Sequence, residues 1–137
     1  MLHREHISPA VCLYVVNQAL TQGQDGILGK FDLSVIPVAN PDGYVYTWTN
    51  DRLWRKNREP VVPECPLNEG GWGPGVDINR NFDVAFGGAG SSDDKCRPTY
   101  HGPSAFSTAE AKAIKTAVES QNLAAYLAIH SYGQVHI

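Results

Sequence analysis

The stretch GVDINRNF, residues 75–82, concentrates polar side chains between apolar residues. Its polar members are Asp77, Asn79, Arg80 and Asn81. A turn needs only one or two such side chains to satisfy its backbone groups. A guanidinium beside an amide forms a rigid receptor that fits a carboxylate, whereas the same groups can also form a network that only braces a loop. The segment therefore predicts either an anion-binding turn or a bracing network.

Composition around this segment indicates one folded domain. The chain has 137 residues, of which 42% are hydrophobic and 18% charged, with a net charge of −3. This balance favours a packed core over disorder. The absence of a basic block argues against a nucleic-acid partner. No apolar run reaches the roughly 18 residues of a membrane helix, and the polar residues after Met1 predict no signal peptide.

Two helices are predicted from apolar periodicity and capping patterns. Ser8 and Pro9 are typical of an N-cap and a first helical position, and the apolar spacing that follows predicts a helix to about Gln22. Ser107 and Glu110 have the spacing of a capping box, which predicts a second helix after them.

Two apolar runs, residues 31–38 and 123–130, predict buried strands. Residues 39–43 predict a turn, and residues 59–74 and 83–106 predict two long loops, which in compact domains are often functional. Strands that alternate with helices favour an α/β fold with parallel strand pairs. His130 ends the second run, where ligands bind in open α/β sheets.

Two histidine-containing clusters are candidate sites. The first, near the N-terminus, consists of His3, Glu5 and His6, and these residue types can share a metal ion. The alternative is that they are solvated. The second consists of His130, Ser131 and Tyr132, where the histidine can act as a ligand or an acid–base group. The alternative is a hydrogen-bonded histidine that caps the strand.

A basic segment, DRLWRKNR, adds Arg52 and Arg55, for which the alternative is a solvated basic face. A metal ion that polarises a carbonyl, together with arginines that bind an anionic end group, outlines a C-terminal exopeptidase or a deacylase of an acidic compound. The serines form no nucleophile elbow, which disfavours serine hydrolysis. The spacing of Cys12, Cys65 and Cys96 leaves a Cys65–Cys96 disulfide and three free thiols equally open.

Six segments resemble the zinc metallocarboxypeptidase family of the carboxypeptidase A/B type. They are REHISPA, IPVANPDGYVYTW, RLWRKNR, GVDINRNFD, YHGPSAFSTAEAKAI and AIHSYGQ, and they occur in the family's order over nearly the whole chain. The resemblance implies an α/β fold with a mixed, largely parallel sheet flanked by helices. It makes residues 1–137 a partial catalytic domain, truncated at both ends. It further implies a secreted, monomeric enzyme that uses Zn²⁺ to release the C-terminal residue of peptides.

The resemblance also implies a role for particular positions. The zinc ligands are His3, Glu5 and His130. Arg55 polarises the scissile carbonyl and stabilises the oxyanion. Asn79 and Arg80 bind the terminal carboxylate of the substrate, with Asp77 and Asn81 bracing them. Arg4, Ser131 and Tyr132 line the substrate site, and Cys65 and Cys96 form a disulfide.

Two departures from the family pattern affect activity. The family motif places a histidine three residues before the glutamate, where this chain has Leu2, so His3 is the candidate ligand. The family's general-base glutamate and substrate-capping tyrosine follow the region that matches residues 128–134. We therefore expect this chain to carry parts of the zinc and carboxylate sites without the general base.

Two alternative functions stay open. The first is a catalytically inactive, truncated paralogue that binds peptide C-termini, or a gene remnant; the altered zinc motif and the missing base favour it. The second is a deacylase of the same broad fold. The segments NPDGYVYTW and YHG disfavour the deacylase, because they resemble the peptide-cleaving branch.

Overall fold

The structure is a computed structural model that describes residues 5–60, 65 and 73–131. Its α-helices are α1 (Ile7–Gln22), α2 (Pro41–Thr49) and α3 (Ala109–Glu119), and its short 3₁₀ turns are Gly23–Asp25, Ile27–Gly29 and Ile78–Arg80. None of the described helices has the length and apolar character needed to cross a membrane. Irregular segments join these elements and carry most of the hydrogen bonds that position the candidate site.

Helix α1 confirms the first predicted helix but begins differently from the prediction. His6 is the N-cap and makes no side-chain capping bond, whereas Ser8 lies buried in the first turn. No side-chain cap is needed, because the Ser8 amide donates to the Glu5 carbonyl at 3.0 Å and Pro9 has no N–H to cap. The helix ends at Gln22, as predicted.

Helix α2 occupies a region where the sequence pattern predicted a turn at residues 39–43, and that prediction is wrong. Asn40 is the N-cap, and its Oδ1 accepts from the Gly43 amide at 2.9 Å. Pro41 fits the first helical position because its φ is already helical and it has no N–H to leave unpaired. The Asn-Pro pair that resembled a turn is therefore a helix start.

Helix α3 confirms the second predicted helix, with its cap one residue later than predicted. Thr108, not Ser107, is the N-cap, and its Oγ1 accepts from the Ala111 amide at 3.1 Å. The Glu110 carboxylate bonds to another segment and not to the start of α3, as a capping box would require. Its Oε2 accepts from Asn57 Nδ2 at 3.1 Å, so it links α3 to the central segments.

The runs 31–38 and 123–130 do not form buried strands in the described residues. Phe31 is 53% exposed and Leu127 is 83% exposed. A ladder requires a neighbouring strand, and no described segment pairs with either run. The only bridge in the described part of the chain is a parallel one between Ser92 and Tyr100. The predicted burial is therefore wrong here, and the described residues do not form the expected sheet.

The core of the structure lies where segment 75–82 passes between two other segments. On one side, the Asn57 amide donates to the Val76 carbonyl at 2.9 Å. On the other side, the Asp77 amide donates to the Tyr100 carbonyl at 2.8 Å. Gly75 has φ +113°, and a Cβ there would collide with the Asn57 carbonyl, so only glycine permits this close approach. The GVDINRNF segment is thus the centre of the packing.

A disulfide joins Cys65 to Cys96 across 31 positions, with their Cα atoms 5.3 Å apart, while Cys12 is free and buried. This confirms the pairing that the resemblance implied. In the chain-entropy model a loop of this length stabilises the fold by about 3.7 kcal/mol. The bond ties down the predicted loop 83–106, which contains turns and the Ser92–Tyr100 bridge but no helix. Most of the predicted loop 59–74 lies outside the described residues.

Candidate metal and carboxylate site

Glu5 and His130 come together although they are 125 positions apart in the sequence. Glu5 is 5% exposed, and its Oε2 lies 3.1 Å from His130 Nδ1. Burial raises the pKa of Glu5, but hydrogen bonds from His130 and from the Ser131 backbone outweigh it and hold that pKa below its ordinary value. The carboxylate is therefore ionised at neutral pH, the state in which it can bind a cation.

The Glu5–His130 pair has the chemistry and spacing of two neighbouring zinc ligands. Zinc binds histidine nitrogen and carboxylate oxygen at about 2.0–2.2 Å. Tetrahedral geometry then puts neighbouring ligand atoms about 3.3 Å apart, close to the 3.1 Å observed between Glu5 Oε2 and His130 Nδ1. No third His, Cys, Asp or Glu joins them within residues 5–60, 65 and 73–131. His3, the remaining predicted ligand, lies outside the described residues.

His6 does not join this pair. Its ring stacks on Trp48 with centroids 4.6 Å apart, and its Nε2 lies 2.8 Å from Thr47 Oγ1. Both contacts are to α2, so His6 packs the start of α1 against that helix. The N-terminal metal cluster predicted from the sequence therefore loses this member.

Arg55 is buried and paired with Asp77. Its Nε and Nη2 donate to the same oxygen, Asp77 Oδ2, at 2.9 and 2.8 Å. Burial raises the pKa of Asp77, and the Arg55 guanidinium opposes that rise. Arg55 Nη1 donates to no described residue. Arg52, the other arginine of the predicted basic pair, is exposed.

Asn79 and Arg80 lie on a 3₁₀ turn whose start is capped by Asp77. Asp77 Oδ1 accepts from the Asn79 amide at 3.1 Å. The Arg80 guanidinium donates from Nε to the Gly90 carbonyl at 3.0 Å and from Nη1 to the Asn79 carbonyl at 3.2 Å. Its Nη2 donates to no described residue. The Asn79 side chain is exposed and Arg80 is half-buried, so this face of the turn is open to a ligand.

Asn81 is fully buried and joins the turn to the loop before α3. Three acceptors share the two N–H groups of its Nδ2: the His101 carbonyl at 2.7 Å, the Ser104 carbonyl at 3.0 Å and Ser107 Oγ at 2.8 Å. Its Oδ1 accepts from the Thr108 amide at 3.0 Å. One side chain thus satisfies polar groups of four residues.

The four polar residues of segment 75–82 therefore divide into two pairs. Asp77 and Asn81 are fully buried and brace other segments, whereas Asn79 and Arg80 lie on the accessible side. The bracing network is observed for Asp77 and Asn81, whereas anion binding by Asn79 and Arg80 stays a prediction. Ser131 is half-buried and adjoins His130. The predicted substrate-site residues Arg4 and Tyr132 lie outside the described residues.

Two buried polar residues that support the site were not singled out from the sequence. Asn57 Oδ1 accepts from the Val76 amide at 2.8 Å, and Lys56 Nζ donates to the Lys95 carbonyl at 2.8 Å. Both follow Trp54 and Arg55 in a run of four buried residues. The basic, apparently surface-like composition of that run concealed them. Asn57 could have been identified from its sequence position, because it lies two residues after Arg55, a predicted site residue.

Lys56 predicts a measurable pH dependence of stability. Burial lowers its pKa to about 8, although Asp94 and Asp77 oppose the shift. Between that value and the ordinary 10.5, the unfolded chain binds more protons than the folded one, so the contribution of Lys56 to stability rises with pH. We expect the unfolding free energy of the wild type, relative to Lys56→Met, to increase by on the order of 2 kcal/mol from pH 8 to 10.

Urea denaturation at several pH values checks this prediction, since Lys56→Met has no group that titrates at this position. Lys112→Met, at an exposed position of α3, is the matched control and should leave the pH profile parallel to that of the wild type. Parallel profiles for wild type and Lys56→Met would show that Lys56 titrates normally, contrary to the prediction.

Comparison with known proteins places this geometry in a family. The family model described as zinc carboxypeptidase matches residues 2–137. Zinc carboxypeptidase A 1 of Anopheles gambiae is 43% identical over 137 residues, which cover 96% of this chain and 30% of that protein. Carboxypeptidase B of Homo sapiens is 42% identical over 141 residues, covering 98% of this chain and 32% of that protein. The chain thus spans about a third of the length of these relatives.

Solved structures agree with the sequence relatives. Carboxypeptidase A from Helicoverpa armigera superposes with a TM-score of 0.83 at 37% identity, over 96% of this chain and 32% of that one. Bovine thrombin-activatable fibrinolysis inhibitor, solved in complex with a tick carboxypeptidase inhibitor, gives a TM-score of 0.83 at 36% identity, over 97% of this chain and 44% of that one. The chain therefore has the α/β carboxypeptidase fold and belongs to the zinc carboxypeptidase family.

Proposed function

We propose that this chain forms part of a secreted zinc metallocarboxypeptidase that removes the C-terminal residue of peptides. The observation that carries the proposal is the 3₁₀ turn at Ile78–Arg80, which exposes Asn79 and half-exposes Arg80 beside the buried Arg55–Asp77 ion pair. A site for a peptide C-terminus needs donors for a terminal carboxylate and a second cation near the scissile carbonyl. This turn and this ion pair carry both types of group.

Asn79 and Arg80 are proposed to bind the terminal carboxylate of the substrate. Arg80 Nε and Nη1 donate to backbone carbonyls, which limits the orientations of the guanidinium and reduces the entropy lost on binding. The remaining N–H groups of Arg80 and the side-chain NH₂ group of Asn79 can then donate to an incoming carboxylate. Charge-assisted bonds of this kind are about twice as strong as neutral ones.

Arg55 is proposed to polarise the scissile carbonyl and to stabilise the charge that develops on its oxygen. Both bonds to Asp77 come from one edge of the guanidinium. This pairing fixes the plane of the group and leaves Nη1 for the substrate. A donor that is already oriented needs no reorganisation when charge develops, which is why such groups make large contributions to catalysis.

Glu5 and His130 are proposed to hold the zinc ion, with His3 as a further ligand. When bound, zinc supplies Lewis-acid polarisation and lowers the pKa of water. The ionised Glu5 carboxylate and the neighbouring His130 Nδ1 support this assignment, because both are donor types that zinc prefers. Arg4, Ser131 and Tyr132 are proposed to line the substrate site next to these ligands.

Several wider properties belong to the same proposal. In the longer domain, residues 31–38 and 123–130 are proposed to be strands of a mixed, largely parallel sheet, since they are apolar and unpaired here. The Cys65–Cys96 disulfide supports an extracellular location, because such bonds persist in oxidising compartments. Peptides are proposed as the substrate class, because the relatives are named carboxypeptidases A and B. The protein is proposed to act as a monomer.

Binding of short peptides tests the carboxylate site. We expect N-acetyl dipeptides with a free C-terminal carboxylate to bind the zinc-loaded chain at least about 10-fold more tightly than their amides. Dipeptides ending in Phe, Leu and Arg are used, because the proposed contacts of the turn are to the terminal carboxylate and do not select the side chain of the C-terminal residue. Calorimetric titration of wild type and Arg80→Met measures the difference, which the substitution should largely abolish.

Arg97→Met is the matched control, since Arg97 is an exposed arginine that ion-pairs with Asp94. It should preserve the preference for the free carboxylate. Equal affinity of acids and amides for the wild type, or an equal loss in Arg97→Met, would contradict the assignment of Arg80.

A further inference from the structure

We propose that Asp77 is a positioning residue that fixes the two proposed substrate-binding groups, Arg55 and the Asn79–Arg80 turn, relative to each other. The roles of those groups rest on the proposed function, but their connection through Asp77 is a property of the structure alone. The inference therefore goes beyond bracing. The Asp77 carboxylate sets the distance between Arg55, the proposed donor to the scissile carbonyl, and the Asn79–Arg80 turn, the proposed binding site for the terminal carboxylate.

Each oxygen of Asp77 serves one of the two groups. Oδ2 accepts both bonds from Arg55, at 2.9 and 2.8 Å. Oδ1 accepts from the Asn79 amide at 3.1 Å and thereby caps the turn that carries Arg80. A single rigid carboxylate plane thus sets the separation of the guanidinium and the turn.

The backbone of Asp77 prevents this carboxylate from moving independently. Its amide donates to the Tyr100 carbonyl at 2.8 Å, and the residue is completely buried. The neighbouring Val76 is held on the other side by Asn57. With the main chain fixed from both sides and the carboxylate shielded from solvent, the side chain cannot rotate without breaking its buried bonds to Arg55 and its part-buried bond to the Asn79 amide.

Only a carboxylate can serve both partners, because both are donors. An asparagine at this position presents one oxygen and one NH₂ group. If its oxygen accepts from the Asn79 amide, its NH₂ opposes the Arg55 guanidinium; if the side chain flips, its NH₂ opposes the Asn79 amide. Asp77→Asn must therefore release one of the two groups while changing the volume of the side chain very little.

Asp94 provides a matched control within the same chain. Its Oδ1 likewise accepts an amide two residues later, from Cys96 at 2.9 Å, and its Oδ2 lies 3.7 Å from Arg97 Nε. Unlike Asp77, it is exposed, so water can replace either partner. Asp94→Asn repeats the chemical change without the burial.

Hydrogen exchange measured by NMR tests the proposal on the 137-residue chain without any need for turnover. In Asp77→Asn we expect the Arg55 Nε–H or the Asn79 amide to exchange at least about 10-fold faster than in the wild type. The amides of α1 should exchange at wild-type rates, which separates loss of positioning from general destabilisation. Asp94→Asn should leave the Arg55 and Asn79 rates unchanged.

A second measurement covers the case in which Asp77→Asn does not fold. In the wild type, a scalar coupling across the hydrogen bond from Arg55 Nε to the Asp77 carboxyl carbon reports the bond directly. Absence of this coupling, or unchanged exchange at both positions in a folded Asp77→Asn, would overturn the proposal. The peptide titration is a separate experiment. If it fails while exchange changes as expected, the proposed function is wrong and the role of Asp77 stands.

Discussion

Replacing Asn81 with alanine is expected to destabilise the chain by about 4 kcal/mol, at the upper end of single substitutions. The side chain contacts four residues from His101 to Thr108, through two buried and two part-buried hydrogen bonds. Its removal leaves the buried His101 carbonyl and Thr108 amide unpaired, each at a cost of about 1–3 kcal/mol, and also removes the part-buried contacts to Ser104 and Ser107. Urea denaturation measures the effect as a lower midpoint with an unchanged slope.

The size of the Asn81 effect depends on burial, and a second asparagine provides the comparison. Asn122→Ala replaces an exposed asparagine beyond α3 and should change the unfolding free energy by no more than about 0.5 kcal/mol. Asn81→Asp keeps an acceptor for the Thr108 amide but places a second carboxylate oxygen against the His101 and Ser104 carbonyls, so a loss at least as large as that of Asn81→Ala is expected. A loss below about 1 kcal/mol in Asn81→Ala would show that water or loop movement satisfies the exposed groups.

Removing the imidazole of His130 is expected to lower the zinc affinity of the chain by at least about 100-fold. Structural zinc sites bind with about 10–16 kcal/mol shared among four ligands or fewer, so one ligand is worth on the order of 3 kcal/mol. Glu5→Gln should have an effect of similar size, because it removes the negative charge that attracts the zinc cation. Competition with a chromophoric chelator measures the dissociation constants of wild type and variants.

His6→Ala is the control for the zinc experiment, because His6 is next to Glu5 but packs on Trp48. Its zinc affinity should stay within about 3-fold of the wild type, a change of less than 1 kcal/mol. An equal loss in His6→Ala and His130→Ala would place His6 among the ligands, against the geometry. Affinity that survives both His130→Ala and Glu5→Gln would remove zinc binding from this pair altogether.

The sequence predicted the helices where the pattern is local. Helices α1 and α3 follow from apolar spacing over three or four turns. Helix α2 was missed because Asn40 and Pro41 are equally typical of a turn. The runs 31–38 and 123–130 have strand composition, but a ladder depends on a neighbouring segment that local pattern cannot reveal. The exposure of these two runs could therefore not be predicted from their own sequence.

The candidate site was predictable as a cluster but not in its internal arrangement. The concentration of polar residues in GVDINRNF marked it as special. Which of them face inward depends on Arg55, 22 positions before Asp77, and on residues 20 to 27 positions after Asn81. Such partners are set by the tertiary fold. The buried role of Asn57, which joins segment 75–82 to α3, escaped prediction for the same reason.

The contact between Glu5 and His130 has a kinetic consequence. It joins residues 125 positions apart, whereas Arg55 and Asp77 are only 22 apart. Closing the longer loop costs about 1.5 kcal/mol more chain entropy, and contacts of large sequence separation form slowly. The arginine–carboxylate half should thus assemble early and the metal-binding half last. The rate at which zinc is taken up during refolding then reports the closing step of the whole chain.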